Sequence, residues 1–268
     1  MLKIFAIISA LSSVLAALDN LFKPLKLLWV IPTAFIGTYI SLILLFALIL
    51  VIEILITDTS KPMTHSSKWF RYLIHQFLVI AVPLLGVKIH ATGLEKVPTD
   101  CRFLFVSNHL YDFDPAIFMY CLPKAELAFV GKKEIYKDMV FVSKAMHKLN
   151  GLPIDRENNR SAVLTISKAA EQIKNDTVSI GIFPEGYCSL SGELLEFRNG
   201  AFKIAKKAHC PIVVATIKNT RQILSNMFRR KTDIYVDILS VVSSDTVDEL
   251  STAELGEMIH KQMSDNLK

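Results

Sequence analysis

His109 and Asp114 are the side chains of this 268-residue sequence best spaced to do chemistry together. They stand five positions apart in Ser107-Asn108-His109-Leu110-Tyr111-Asp112-Phe113-Asp114-Pro115. On a single helix, five positions leave two side chains about 140° out of alignment. The flanking residues do not read as one helix. Phe103-Leu104-Phe105-Val106 reads as a buried strand, and Asp114-Pro115 as a helix start, aspartate capping and proline at the first helical position. That puts an imidazole at a strand tip and a carboxylate at the mouth of the next helix, where the two can meet. A carboxylate on one ring nitrogen fixes the tautomer and leaves the other nitrogen free to take a proton. The plainer alternative is an ordinary loop followed by an ordinary cap.

Other residues carry weaker signals. Phe183-Pro184-Glu185-Gly186 is a tight turn, with Gly186 letting the backbone approach a ligand. Arg156, in Gly151-Leu152-Pro153-Ile154-Asp155-Arg156, offers a fork matched to two phosphate oxygens, unless it pairs with Asp155 or Glu157. Lys132-Lys133-Glu134 places two ammonium groups at the end of a short strand, or forms a solvated charge run. Gly192, Phe197-Arg198 and Gly200-Ala201-Phe202 lead into a helix whose first amides suit an anion.

Several chemistries lack their signatures. No GxSxG elbow marks an α/β-hydrolase, and neither GxxxxGK[ST] nor GxGxxG marks a nucleotide site. Cys101, Cys121, Cys188 and Cys210 show no CxxC or histidine spacing, so neither a zinc site nor a disulfide framework is expected.

The elements that must position these residues alternate. Strand patterns at 88–92, 103–106, 128–130, 178–183, 211–217 and 234–242 are interleaved with helical patterns at 115–121, 161–174 and 201–208, closed by a helix over 250–267. Such alternation predicts an α/β domain with a mostly parallel central sheet flanked by helices. In such sheets the ligand crevice lies beyond the carboxyl ends of the strands. His109 and Glu185 both follow strands, which favours the catalytic reading of His109.

The N-terminus is of another kind. Apolar residues make up 51% of the chain, and mean hydropathy is +0.39. Residues 27–52 contain no charge, a length that predicts a transmembrane span. Residues 4–18 are apolar but short, which suits an interfacial helix or half of a membrane hairpin better than a cleaved signal peptide. The charge-free stretch 72–87, opened by Trp69, Arg71 and Tyr72, predicts a helix in the membrane interface or capping the globular domain. The resulting division is a membrane region over 1–60, a linker and interfacial helix over 61–87, and a catalytic domain over 88–268. Net charge of +5 favours anionic lipid surfaces or phosphorylated substrates.

Taken in order, Asn108-His109-x4-Asp114, Gly151-x-x-Ile154-Asp155-Arg156, Phe183-Pro184-Glu185-Gly186 and Pro211-Ile212-Val213-Val214 resemble the glycerolipid acyltransferase family, most closely its PlsC-type 1-acyl-sn-glycerol-3-phosphate acyltransferases. The resemblance covers roughly residues 85–220. It implies a membrane-bound enzyme that moves an acyl group from acyl-CoA or acyl-ACP to a lysophospholipid hydroxyl in phospholipid biosynthesis. By the same resemblance His109 is the general base and Asp114 its orienting carboxylate. Asn108, Lys132, Arg156, Glu185 and Gly186 are then substrate-binding residues. No cofactor, metal or nucleic acid is implied; acyl carrier protein is a candidate partner. The catalytic domain is expected on the cytoplasmic side of a membrane that the protein spans, in keeping with cysteines that show no disulfide pattern.

Two departures stand out. The family usually continues Phe-Pro-Glu-Gly-Thr-Arg-Ser, and here the residues are Tyr187-Cys188-Ser189, without a cation at 188. Ala215-Thr216 stands where Pro-Val is common. The first leaves open another lysolipid or glycolipid acceptor, or a lipid-binding protein that kept the fold without the activity.

Overall fold

The structure is a computed structural model and describes residues 1–21, 23–227 and 229–268. Two units compose it, Met1–Ile56 and Thr57–Lys268.

The first unit is two helices packed side by side, α1 (Leu2–Leu18) and α2 (Pro24–Leu55). Small hydroxylated residues lie at their contact: Ser9 and Ser13 are buried, and the Ser12 and Thr38 hydroxyls meet across it at 3.0 Å. Small side chains let backbones approach, and a hydroxyl pair is a directional bond that lipid cannot replace. Pro32 sits inside α2, where the Thr33 hydroxyl donates to the Trp29 carbonyl at 2.6 Å. Within the 31 residues Leu25–Leu55, an 18-residue stretch reaches a mean hydropathy of 2.8 and is only 11% buried. At 1.5 Å per residue α2 is long and apolar enough to cross a bilayer core of about 30 Å. A soluble core helix of that composition would be covered.

The second unit carries a seven-stranded sheet in the order β1-β7-β6-β2-β5-β3-β4. Its strands are β1 (Val87–Thr92), β2 (Leu104–Ser107), β3 (Leu127–Lys132), β4 (Leu152–Ile154), β5 (Ser179–Ile182), β6 (Ile212–Lys218) and β7 (Thr232–Val242). The helices are α3 (Lys68–Leu84), α4 (Asp114–Cys121), α5 (Lys133–Asp138), α6 (Val140–Lys148), α7 (Asn159–Lys174), α8 (Lys203–Ala208), α9 (Gln222–Asn226), α10 (Ser244–Glu249) and α11 (Thr252–Leu267). All strand pairings are parallel except β6 with β7.

Helices cover both faces of the sheet, which is why β2 and β5 are buried at every position and read as continuous apolar runs. On one face Ile166, Ala169 and Ile173 of α7 and Leu255, Ile259 and Met263 of α11 pack with Leu104, Val106, Ile180 and Ile212. On the other, Ile117 and Phe118 of α4 and Val82 of α3 pack with Phe103, Phe105, Val213 and Ile217. Helix α3 is tied down by Arg71, whose guanidinium donates to the Leu127 and Leu149 carbonyls, each at 2.8 Å. This helix therefore caps the sheet domain, with Trp69, Tyr72 and Phe77 left exposed.

Four elements differ from the sequence reading. Strand β4 has only three residues with Pro153 in the middle, too short to show a period. Helices α5 and α6 occupy a stretch whose apolar residues are broken by Lys133, Lys137, Lys144 and Lys148. Strand β7 runs antiparallel to β6, which the alternation rule does not foresee.

Candidate active site

Strands β2, β5, β3 and β4 lie side by side and parallel, so their carboxyl ends form one rim. The sequence candidates sit along it in that order: His109 after β2, Glu185 and Gly186 after β5, Lys132 at the end of β3, and Arg156 after β4.

His109 meets Asp114 as the strand–loop–helix reading requires. Asp114 Oδ2 lies 2.8 Å from His109 Nδ1, and it also accepts the backbone N–H groups of Leu110 at 2.7 Å and Tyr111 at 2.8 Å. The carboxylate is 0% exposed. One oxygen thus fixes the ring and the loop that carries it, so Nε2 remains as the nitrogen free to exchange a proton. The ring also stacks on Phe183, with centroids 4.1 Å apart and planes 9° from parallel. Phe183 stacks in turn on Phe129 of β3. No spacing in the sequence signals this aromatic seat.

Glu185 does not point at open space. Its carboxylate, 3% exposed, accepts the His109 N–H at 2.7 Å through Oε1 and the Leu195 N–H at 2.9 Å through Oε2. Burial pushes its pKa up to about 7, against the opposing pull of those two hydrogen bonds. The Ser189 N–H closes the clamp by donating to the His109 carbonyl at 2.8 Å. Gly186 adopts φ +79°, and a Cβ there would crowd the Arg198 side chain at 3.1 Å. This turn needs glycine for its backbone and for that approach.

Asn108 requires a correction. It is 1% exposed, its amide donates to the Ile217 carbonyl at 3.0 Å, and its carbonyl accepts the Ile217 N–H at 2.8 Å. With both ends engaged by β6, it holds the tip of β2 in place and has no group left for substrate. Lys132 pairs loosely with Glu134 at 3.7 Å and is half exposed. The neighbouring Lys133 bonds Asp155 at 2.7 Å, so Asp155 does not occupy Arg156.

Arg156 and Arg198 both address one aromatic ring. Their guanidinium carbons lie 5.3 and 5.2 Å from the Tyr187 ring centroid. Tyr187 thereby gathers two cations beside a position where the family arginine is missing. A cavity of about 470 Å³ opens next to them. Val130, Ile154, Val163, Ile166 and Phe183 line it together with the cations Arg156, Arg198, Lys203 and Lys207. Phe183 belongs to both structures, stacking on His109 and lining the cavity. The arrangement provides an oriented base next to a space lined by both apolar and cationic side chains.

Comparison with known proteins agrees with this chemistry. The acyltransferase family profile matches residues 88–218. The 1-acyl-sn-glycerol-3-phosphate acyltransferase of Borreliella burgdorferi is 27% identical over 191 residues, covering 70% of this chain and 75% of the relative. The Saccharomyces cerevisiae enzyme of the same name is 29% identical over 190 residues, covering 69% of this chain and 61% of the relative. A probable 1-acyl-sn-glycerol-3-phosphate acyltransferase of Mycoplasma pneumoniae is 33% identical over 166 residues, with 60% of this chain and 59% of the relative covered. The chain therefore spans about three fifths to three quarters of these relatives. The crystal structure of the 1-acyl-sn-glycerophosphate (LPA) acyltransferase PlsC from Thermotoga maritima has the same fold, with a TM-score of 0.64 at 21% identity over 100% of this chain and 96% of that one. Residues 88–218 are thus similar to the acyltransferase domains of these proteins.

Proposed function

We propose that this acyltransferase moves a fatty acyl group from an acyl thioester to the free hydroxyl of 1-acylglycerol-3-phosphate, giving phosphatidic acid. The observation that carries the reading is the His109–Asp114 pair beside a cavity lined by both apolar and cationic side chains. An acyl chain suits the apolar lining and a phosphate monoester the cations. His109 Nε2 removes the hydroxyl proton as that oxygen attacks the thioester carbonyl. The tetrahedral intermediate collapses, the sulfur leaves, and the imidazolium returns its proton to the thiolate. Asp114 balances the charge on the ring in between, as an aspartate does in the serine-protease triad. The substrate hydroxyl is the nucleophile, so no acyl-enzyme is required.

Arg156 and Arg198, gathered on Tyr187, are the groups we assign to the acceptor phosphate, in place of the arginine the family carries at position 188. Gly186 lets the chain pass close to it, and Lys132 is a further cation on the same rim. Helix α2 anchors the protein in the bilayer, where acceptor and product both reside. We place the sheet domain on the cytoplasmic side, where its four free cysteines stay reduced and where either acyl-CoA or acyl-ACP can serve as donor.

Cys188 motivates one second reading, in which the acceptor is a different lysolipid or a glycolipid. Acyl-transfer assays on the full chain, with 1-acylglycerol-3-phosphate and with head-group-extended and phosphate-free acceptors, decide between them. Preference for the phosphate monoester, abolished by His109→Ala, is the expected result. Equal or faster transfer to a phosphate-free acceptor would overturn the choice of substrate.

A further inference from the structure

Position 188 lacks the family cation, and the structure places a soft ligand next to the base instead. The clamp that binds the Ser189 N–H to the His109 carbonyl at 2.8 Å swings Cys188 over the catalytic loop. Among the described residues, His109, Asp112 and Cys188 bring a ring nitrogen, a carboxylate oxygen and a thiol within 4.8 Å of one another. Sequence spacing concealed this grouping, because Cys188 arrives from a different strand end.

We infer that His109, Asp112 and Cys188 form a binding site for a thiophilic divalent cation, zinc above all, and that the ion inhibits the enzyme by occupying its base. The dimensions support it. Cys188 Sγ lies 3.9 Å from Asp112 Oδ1. Around a tetrahedral zinc, bonds of about 2.3 Å to sulfur and about 2.0 Å to oxygen place those atoms about 3.5 Å apart. Closing the difference needs a few tenths of an ångström, and Asp112 is an exposed residue in a loop. The outer sphere is already built, because Asp114 holds His109 through Nδ1 and leaves Nε2 as the free donor. A histidine oriented by a carboxylate is the usual metal-ligating arrangement, since the same hydrogen bond that makes a good base makes a good ligand.

Charge and softness narrow the ion. Asp112 and Asp114 put two carboxylates around the thiol, where the family arginine would have brought a positive charge. On binding, the Zn–S bond replaces the S–H bond and the proton leaves to solvent, so affinity rises with pH. A thiolate–imidazole–carboxylate set suits zinc or cobalt. Magnesium and calcium prefer all-oxygen shells. With Nε2 ligated, the lone pair that would accept the acceptor's proton is engaged.

The test uses the reduced full chain in detergent, titrated with cobalt(II). A thiolate-to-cobalt charge-transfer band saturating at one ion per chain is expected, displaced by zinc and not by magnesium. The band should vanish in Cys188→Ser and persist in Cys101→Ser, which removes an exposed thiol elsewhere. Asp112→Asn, at an exposed position, should weaken binding in a folded protein. Asp114→Asn should weaken it about 10- to 100-fold, as loss of an outer-sphere partner does. In the acyl-transfer assay zinc should compete with the acceptor, and Cys188→Ser should remove the zinc sensitivity. A band that survives in Cys188→Ser or disappears in Cys101→Ser overturns the site, as does absence of stoichiometric binding. The spectroscopic arm is independent of the acyl-transfer reading; the inhibition arm rests on it.

Discussion

The two sides of the rim are held by different forces. On the His109 side Asp114, Glu185 and Asn108 are each held by main-chain hydrogen bonds in a buried setting. Asp114 takes two backbone N–H groups besides the ring nitrogen, Glu185 takes two more, and Asn108 takes Ile217 from both directions. On the Arg156 side the cations rest on the face of an exposed tyrosine. A base must be aligned to fractions of an ångström before the reaction begins, and only a backbone scaffold delivers that. A phosphate can be met by cations that adjust to it. Under the proposed function, the chemistry is fixed by the fold while acceptor recognition is adjustable, and substitutions on the two sides should behave unlike one another.

Removing the base is the most severe way to break the fixed side. His109→Ala should lower kcat about 10²- to 10⁴-fold, the usual contribution of a positioned general base, with little change in melting temperature. Activity within tenfold of wild type would end the assignment. Asp114→Asn should come next, at about 10²-fold or more in kcat. Its amide oxygen can still accept the Leu110 and Tyr111 N–H groups, so the loop survives, but a neutral amide cannot balance an imidazolium. If Asp112→Asn were the damaging change and Asp114→Asn silent, the orienting carboxylate would have been misassigned.

Arg156→Ala probes the adjustable side. A charge-assisted hydrogen bond is worth about 1.5–3 kcal/mol, so kcat/KM for a phosphorylated acceptor should fall roughly 10- to 150-fold. The loss should be absent for a phosphate-free acceptor, and an equal loss for both would make Arg156 a structural residue. His109→Ala, in contrast, should spare neither acceptor.

Glu185 sharpens the contrast through stability. Its folded-state pKa of about 7 stands above the ordinary value of 4.5. Between those values the folded chain holds a proton that the unfolded chain has released. Stability from this group is therefore lost as pH rises through that window. Glu185→Gln should flatten that part of the melting-temperature profile. It should also cost about 1–3 kcal/mol, because one of the two N–H groups then faces an amide NH2 in place of an oxygen. Parallel pH profiles for the two proteins would show that Glu185 does not titrate there.

How much of this was legible in the sequence follows the same division. The His109–Asp114 meeting could be read because Asp-Pro announces a helix start five positions after a strand tip. The sheet rim could be read because alternating strands and helices build parallel sheets. Asn108 misled, since a polar residue beside a base reads as a ligand contact, and nothing local reveals that Ile217, 109 positions on, takes both ends of its amide. Glu185 was placed at the right turn, but its bonds to the His109 and Leu195 N–H groups were hidden for the same reason. The Tyr187 platform and the Phe183 seat depend on side chains converging from separate strand ends, a relation with no period or spacing. In the first unit, length and lack of charge identified α2 without any tertiary information.

The smallest effect, and the one most specific to this chain, belongs to Tyr187. The family threonine could not present a ring face to Arg156 and Arg198. A cation over an exposed ring is worth about 0.5–1 kcal/mol, which corresponds to about a 2- to 5-fold change for each arginine whose position depends on it. Tyr187→Leu keeps bulk and loses the ring's negative face, so it should raise KM for the phosphorylated acceptor by that modest factor and leave kcat nearly unchanged. The clamp that aligns His109 does not pass through the Tyr187 side chain; it runs through the Glu185 carboxylate and the Ser189 N–H. A fall in kcat comparable to that of Asp114→Asn would therefore mean that the two sides of the rim are mechanically coupled and that the contrast between them is false. An unchanged KM would mean that the arginines reach the phosphate without the ring. A small rise in KM alone is the result that a fixed base and an adjustable cation pair require.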